Sequence, residues 1–271
     1  MKPNDESIWI DISENIRVSD ISLLLTVPLV LLAVYLLPMS MQQSLLLEFD
    51  NPSIIQLWSS SYVHDGYIHL ITNIALYGLC VFPSYLFLIL ANERQLFRYI
   101  FLVFLFIGPP VIALVLIIRL HGGTGAGFSG IAAAFVGLIP VSIVMFIRKR
   151  VSSAVYPSVG MVFFLVVLAV VGATYSGVPA AVGLLVLSGL FLHHHFHLIG
   201  QEEVQRLVSE LPLMKGYFML MVVAMTFFLV SPVFLFPENV IQNNHTVSAF
   251  VHYVGLCFGY LGSTLICIYI E

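Results

Sequence analysis

Four side chains in this sequence have the types and spacing for nucleophilic chemistry. Ser129 stands between Gly127-Phe128 and Gly130, inside the glycine-dense stretch from His121 to Gly137 and at the head of a long apolar run. His69 and Asn73 lie four residues apart, hence on one helix face, with His64 just upstream. His252 is followed at three and seven residues by Gly255 and Gly259. A serine attacks an acyl carbon when a base takes its proton, and the oxyanion that forms needs hydrogen-bond donors. His252 is the base candidate. Small residues at such spacing let two apolar helices approach closely, and Ser129, Ala133 and Gly137 form a matching stripe. Packing the two stripes would set His252 against Ser129, while His69 and Asn73 could donate toward an oxyanion. His245 is the second histidine in reach. It follows Asn243-Asn244 and suits a helix cap better.

These residues need elements to hold them, and composition says where those elements sit. The chain has 271 residues, 60% hydrophobic and 9% charged. A soluble domain carries about 25% charge, so this is an all-α membrane protein, a polytopic helical bundle. The net charge of -4 says little about partners, because so few charges exist, but the absence of a basic patch speaks against nucleic acid. Cys80, Cys257 and Cys267 fall in apolar runs and read as core residues, not as a disulfide frame or metal set. The first twenty residues are polar and acidic, without a basic leader, and the run after them reads as an uncleaved span.

Apolar runs of about 20 residues place spans near 21–38, 67–91, 99–118, 128–150, 158–175, 179–192, 216–236 and 247–270, with the sixth closing between Leu192 and His197. Gly108-Pro109-Pro110 should kink the third. Trp58 and Tyr62, in the long connection from Met39 to Val63, suit a membrane interface. Gly122, Gly123 and Gly125 read as a flexible loop giving access to Ser129. Residues 1–20 form a short N-terminal segment and 21–271 one transmembrane domain.

Arg94, Arg98, Arg148, Lys149, Arg150, Arg206 and Lys215 follow even-numbered spans, while Asp50, Asp65, His121 and Glu238 fall in the opposite loops. The basic loops should be cytoplasmic, with both termini, in a multi-pass protein of the cell membrane. Spans two, four and eight then begin at the outer face, so His69, Asn73, Ser129 and His252 share one depth and the site opens outward. This parity requires residues 158–199 to cross twice; a single crossing would invert everything after it. His193, His194, His195 and His197 sit at the inner end of the sixth span, about 30 Å from Ser129.

Taken together the three motifs resemble the rhomboid intramembrane serine proteases. His64-x4-His69-x3-Asn73 resembles that family's second-helix motif, Gly127-Phe128-Ser129-Gly130 its Gly-x-Ser-Gly, and His252-x2-Gly255-Leu256-x2-Gly259 its last-helix motif. The resemblance covers about 55–140 and 245–265. It implies a rhomboid-like fold with a six-helix core. It also implies a Ser129–His252 dyad without aspartate, and an oxyanion hole of the Ser129 N–H with His69 and Asn73. His64 would be a structural or water-holding residue near the mouth, and Gly127, Gly130, Gly255 and Gly259 would support the site. Substrates would be single-pass transmembrane proteins, cut within the bilayer, with no cofactor and no metal. The chain departs from the family twice. Ile55 and Gln56 stand where rhomboids usually carry Trp-Arg, and three spans, not one, separate the serine and histidine helices, which reads as an added hairpin.

Other readings weigh against these. Ser129 can be a packing serine, and His69 and Asn73 can tie span two to its neighbours. The chain can be a catalytically inactive relative that binds transmembrane clients. It can be a transporter or metal carrier using His193–His197, although the span centres lack the carboxylates such carriers often use. The histidine cluster itself reads first as an interfacial polar edge.

Overall fold

The computed structural model describes residues 6–236, 241–242, 245–246 and 249–270. In chain order it holds α1 (Glu6–Asn15), α2 (Val18–Tyr35), α3 (Met39–Ser44), β1 (Leu47–Glu48), α4 (Ile54–Ser59), α5 (Tyr67–Leu90), α6 (Arg94–Phe106), α7 (Gly108–Arg119) and β2 (Thr124–Gly125). Then follow α8 (Ser129–Arg150), α9 (Gly160–Tyr175), α10 (Val178–Ile199), α11 (Gln201–Glu210), α12 (Lys215–Leu235), β3 (Ile241–Gln242), β4 (His245–Thr246) and α13 (Ala249–Ile270). Among the described residues, eight helical segments are long and apolar enough to cross a membrane, with α6 and α7 counting as one. The chain is thus an all-α polytopic helical protein.

The α6–α7 junction falls at Ile107, just before Gly108-Pro109-Pro110. Proline here removes backbone donors where a new helix has no use for them, so the break costs little. Residues 158–199 form two long helices. They are joined at Gly177, whose φ of 87° lies in the region that favours glycine. The tight link turns the chain back, and the Tyr175 and Phe236 rings, at the ends of α9 and α12, come within 6.3 Å. Those two helices therefore end on one side of the bundle.

At the bundle's centre lies α8, buried almost throughout; among its neighbours are α13, α5, α12 and α9. Its apolar character runs around the whole circumference, which is what a helix surrounded by other helices needs. At the edge, α10 packs on α9, with Ser188 Oγ donating to the Val162 carbonyl. The next membrane-length helix in sequence, α12, returns to the centre.

Two poles result. One gathers the described basic residues other than Arg119: Lys149 pairs with Glu93 at 2.9 Å, and Arg148 donates to the Ser153 and Val155 carbonyls. There Asp20, fully buried in the first turn of α2, is held by Arg94, by Arg98 (2.9 Å to Nε) and by the Tyr85 hydroxyl. A buried carboxylate is tolerated only with such partners, and they lock α2 onto α5 and α6. The first apolar helix therefore starts at Val18, and the segment before it contains α1, whose Asp11 accepts from the Tyr217 hydroxyl. The opposite pole carries the starts of α5, α8 and α13.

Candidate active site

The stretch leading to Ser129 is pinned at almost every residue, which corrects the reading of it as a flexible loop. Leu47 and Glu48 pair with Gly125 and Thr124 as a short antiparallel ladder. The Gly122 N–H donates to Asp50 Oδ1 at 2.9 Å, and the Gly127 N–H to the Ser60 carbonyl at 3.0 Å. Gly127 has φ 120°, and a Cβ there would stand 3.0 Å from the His69 ring. The glycine is required both for its backbone angle and for the histidine lying over it. Phe128 then packs between Tyr62 and Tyr77, with ring centroids 5.9 Å from each. Held this way, the chain delivers Ser129 as the first residue of α8. The N–H groups of Ser129, Gly130 and Ile131 have no carbonyl one turn back to bond, and the helix dipole places partial positive charge there. That end of α8 can receive an oxyanion.

α8 and α13 are in backbone contact. A Cβ on Gly255 would overlap the Gly130 carbonyl, one on Gly259 would overlap that of Ala134, and one on Gly137 would come within 2.5 Å of the Leu256 carbonyl. The contact stripe on α8 is therefore Gly130, Ala134 and Gly137. It is shifted from the expected Ser129, Ala133 and Gly137 because Gly130 permits the closer approach. The shift matters for chemistry. A serine on the contact line would be sealed under α13, whereas Ser129 sits beside that line and remains partly exposed. A Cβ on Gly130 would meet Val251 at 2.8 Å, so His252, the next residue on α13, lies level with Ser129.

His252 is buried, and its Nδ1 bonds the Leu235 carbonyl at the end of α12. A carbonyl only accepts, so Nδ1 carries the proton and Nε2 keeps its lone pair. Leu235 can accept because it is the last residue of α12, where a carbonyl has no amide one turn on. Upstream, Pro232 leaves the Phe228 carbonyl without its helical donor, and Ser231 Oγ supplies one at 2.7 Å. The Phe236 ring stands nearly perpendicular to the imidazole, at 6.1 Å. Ser129 Oγ and His252 are not hydrogen-bonded to each other, and Ser129 Oγ has no hydrogen-bond partner among the described residues. Such bonds often tighten only with substrate bound.

On α5 the expected donors divide. His69 lies over Gly127. Its Nδ1 contacts Asp65 Oδ1 at 2.8 Å, one turn back. A neutral His69 that donates to Asp65 has only a lone pair at Nε2, so donation to an oxyanion requires the imidazolium. Asn73 is buried and gives one N–H to the His69 carbonyl at 3.0 Å, which leaves one amide donor.

His64 is 1% exposed, with its ring 5.0 Å from that of His69. Its Nε2 takes a long bond, 3.5 Å, from the Phe128 N–H, and its Nδ1 is buried without a partner. It thus steadies the residue before Ser129. Burial first, then the neighbouring His69, lower its pKa from 6.5 to about 4. The unfolded chain therefore binds a proton between pH 6.5 and 4 that the folded chain refuses, and stability falls as pH falls through that window. Relative to a His64→Gln variant, the wild type should lose on the order of 3 kcal/mol over it. Thermal melts of both proteins in detergent at pH 7 and pH 4 measure this; parallel curves would show that His64 is not held neutral.

Three contributions to the site escape a motif search. The Leu235 and Ser60 carbonyls are backbone groups, to which any residue type could give rise. Asp65 had a readable signal, an acid four residues before a histidine on one helix. The side chain of His245 lies outside the described residues, although its backbone pairs with Gln242 across β3 and β4. Among known proteins, no family model, no curated protein and no solved structure matches the chain.

Proposed function

We propose that this chain is an intramembrane serine endopeptidase of the rhomboid type, hydrolysing peptide bonds within the transmembrane segments of other membrane proteins. The observation that carries the reading is the contact of His252 Nδ1 with the Leu235 carbonyl. With Nδ1–H donated to Leu235, the lone pair of Nε2 is left for a proton, level with a partly exposed serine at a helix N-terminus. In this mechanism His252 Nε2 takes the Ser129 proton as Oγ bonds the scissile carbonyl carbon. The Ser129 N–H and the free Asn73 amide donor hold the oxyanion, and His69 joins them when both of its ring nitrogens carry protons. His252 then gives its proton to the leaving amine, and water, activated by the same Nε2, releases the acyl group. The Leu235 carbonyl supplies the orientation an aspartate gives in a triad. The substrate class follows from the three-motif resemblance and from the apolar setting of the serine.

One observation favours a second reading. The serine and histidine are not hydrogen-bonded, and Asn73 spends a donor on its own helix. A catalytically inactive chain that binds transmembrane clients would tolerate both. Labelling of the purified chain by a fluorophosphonate separates the two. Covalent labelling and cleavage of a model transmembrane substrate support the protease, and inertness in both assays turns the reading to client binding.

A further inference from the structure

The expected histidine cluster at the far end of α10 separates into two kinds of residue. His195 is buried and committed: its ring bonds Ser158 Oγ at 2.9 Å and the Phe191 carbonyl at 2.8 Å, which fastens α10 to the turn before α9. His193 and His197 are exposed and face each other. They lie four residues apart on one helix face, with their Nε2 atoms 3.2 Å apart, their rings 88° to one another and their centroids separated by 4.5 Å.

That separation is informative. Metal–imidazole bonds of about 2.0–2.1 Å put two ligand nitrogens roughly 2.9 Å apart at a right angle and roughly 3.3 Å apart in a tetrahedron. The pair falls between the two, so its spacing is that of two nitrogen ligands to one cation. Two neutral imidazoles this close share one Nε2 proton. Moving that proton to Nδ1 of the same ring frees the second lone pair, with no proton lost. The setting adds to this, since the pair lies in the last two turns of α10, where the helix dipole favours positive charge.

We propose that His193 and His197 form a two-imidazole site for a divalent late transition metal of the nickel, copper and zinc group. Imidazole ligands select these ions over magnesium and calcium. Among the described residues no third histidine, cysteine, aspartate or glutamate joins the pair, so water completes the coordination. Bound metal would staple the final turns of α10 just before Gly200, where the chain leaves for α11.

The test uses the untagged full chain in detergent micelles. Zinc titration calorimetry should give one saturable site per chain, and copper bound there should show nitrogen hyperfine coupling in its electron paramagnetic resonance spectrum. His193→Ala and His197→Ala should each weaken binding at least about tenfold, no less than the loss of an outer-shell partner costs. His194→Ala, on an adjacent face, should leave it unchanged. Zinc should raise the melting temperature of the wild type and not of the double variant, whose metal-free melt should match the wild type because both residues are exposed. Absence of saturable binding to the wild type overturns the proposal. So does binding that survives the double variant, or that falls equally in His194→Ala. The readout is metal binding, and it is independent of whether the chain cleaves peptides.

Discussion

Replacing Ser129 with alanine should abolish fluorophosphonate labelling and reduce cleavage of a transmembrane substrate by about ten-thousand-fold or more, the loss expected when a catalytic serine is removed. His252→Ala should cost about as much, and the double variant should be no worse than either single one. Groups that act as a unit lose their joint contribution together, so their effects do not add. That non-additivity is the stronger test. Ser129 and His252 have no hydrogen bond to each other in the resting arrangement, so two unrelated packing residues would give multiplying losses instead. Undiminished labelling in Ser129→Ala would sink the protease reading outright. Folding should be intact in that variant, since Ser129 Oγ bonds nothing among the described residues and alanine is well tolerated in a first helical turn.

Gly255→Ala should be as damaging to the architecture as Ser129→Ala is to the chemistry. The added methyl would overlap the Gly130 carbonyl, a backbone group that cannot rotate away. α13 must then lift off α8, which should cost about 3 kcal/mol or more, the upper range for overpacking a tight contact. His252 rides on the same turn, so labelling of Ser129 should fall with stability. Gly262, seven residues on, provides the contrast. A Cβ there meets nothing within 4 Å, so Gly262→Ala should stabilise by up to about 1 kcal/mol through its better helix propensity. The measurement is unfolding in mixed micelles for both variants beside the wild type. Equal stability of Gly255→Ala and Gly262→Ala would mean that the two helices are not in backbone contact.

Much of this arrangement was legible in the residues. Apolar runs marked eight helices long enough to cross a membrane, all found among the described residues, because lipid leaves an unpaired backbone no alternative to helix. Gly108-Pro109-Pro110 marked the break between α6 and α7 because proline cannot donate. The small residues of α8 and α13 marked a close approach, yet their order could not say which face would win. Ser129 and Gly130 are both small, and only the fit of Gly255 against the Gly130 carbonyl put the serine beside the contact and not under it. The glycine run before Ser129 looked loose because glycine is free in an isolated chain. In the fold it is fixed by Leu47, Asp50 and Ser60, which lie about 60 to 80 residues away and cannot be paired with it from the sequence.

The residue types that could act, and the number of helices that carry them, follow from the sequence alone, because hydropathy and side-chain chemistry are local properties. Three things belong to the tertiary structure: the stripe by which α8 meets α13, the closing of the glycine stretch by a distant strand, and the proton on His252. The last is decided by a carbonyl, Leu235. Every residue has one; this one lacks a helical amide partner because α12 ends at Leu235, and only the fold sets that end against His252.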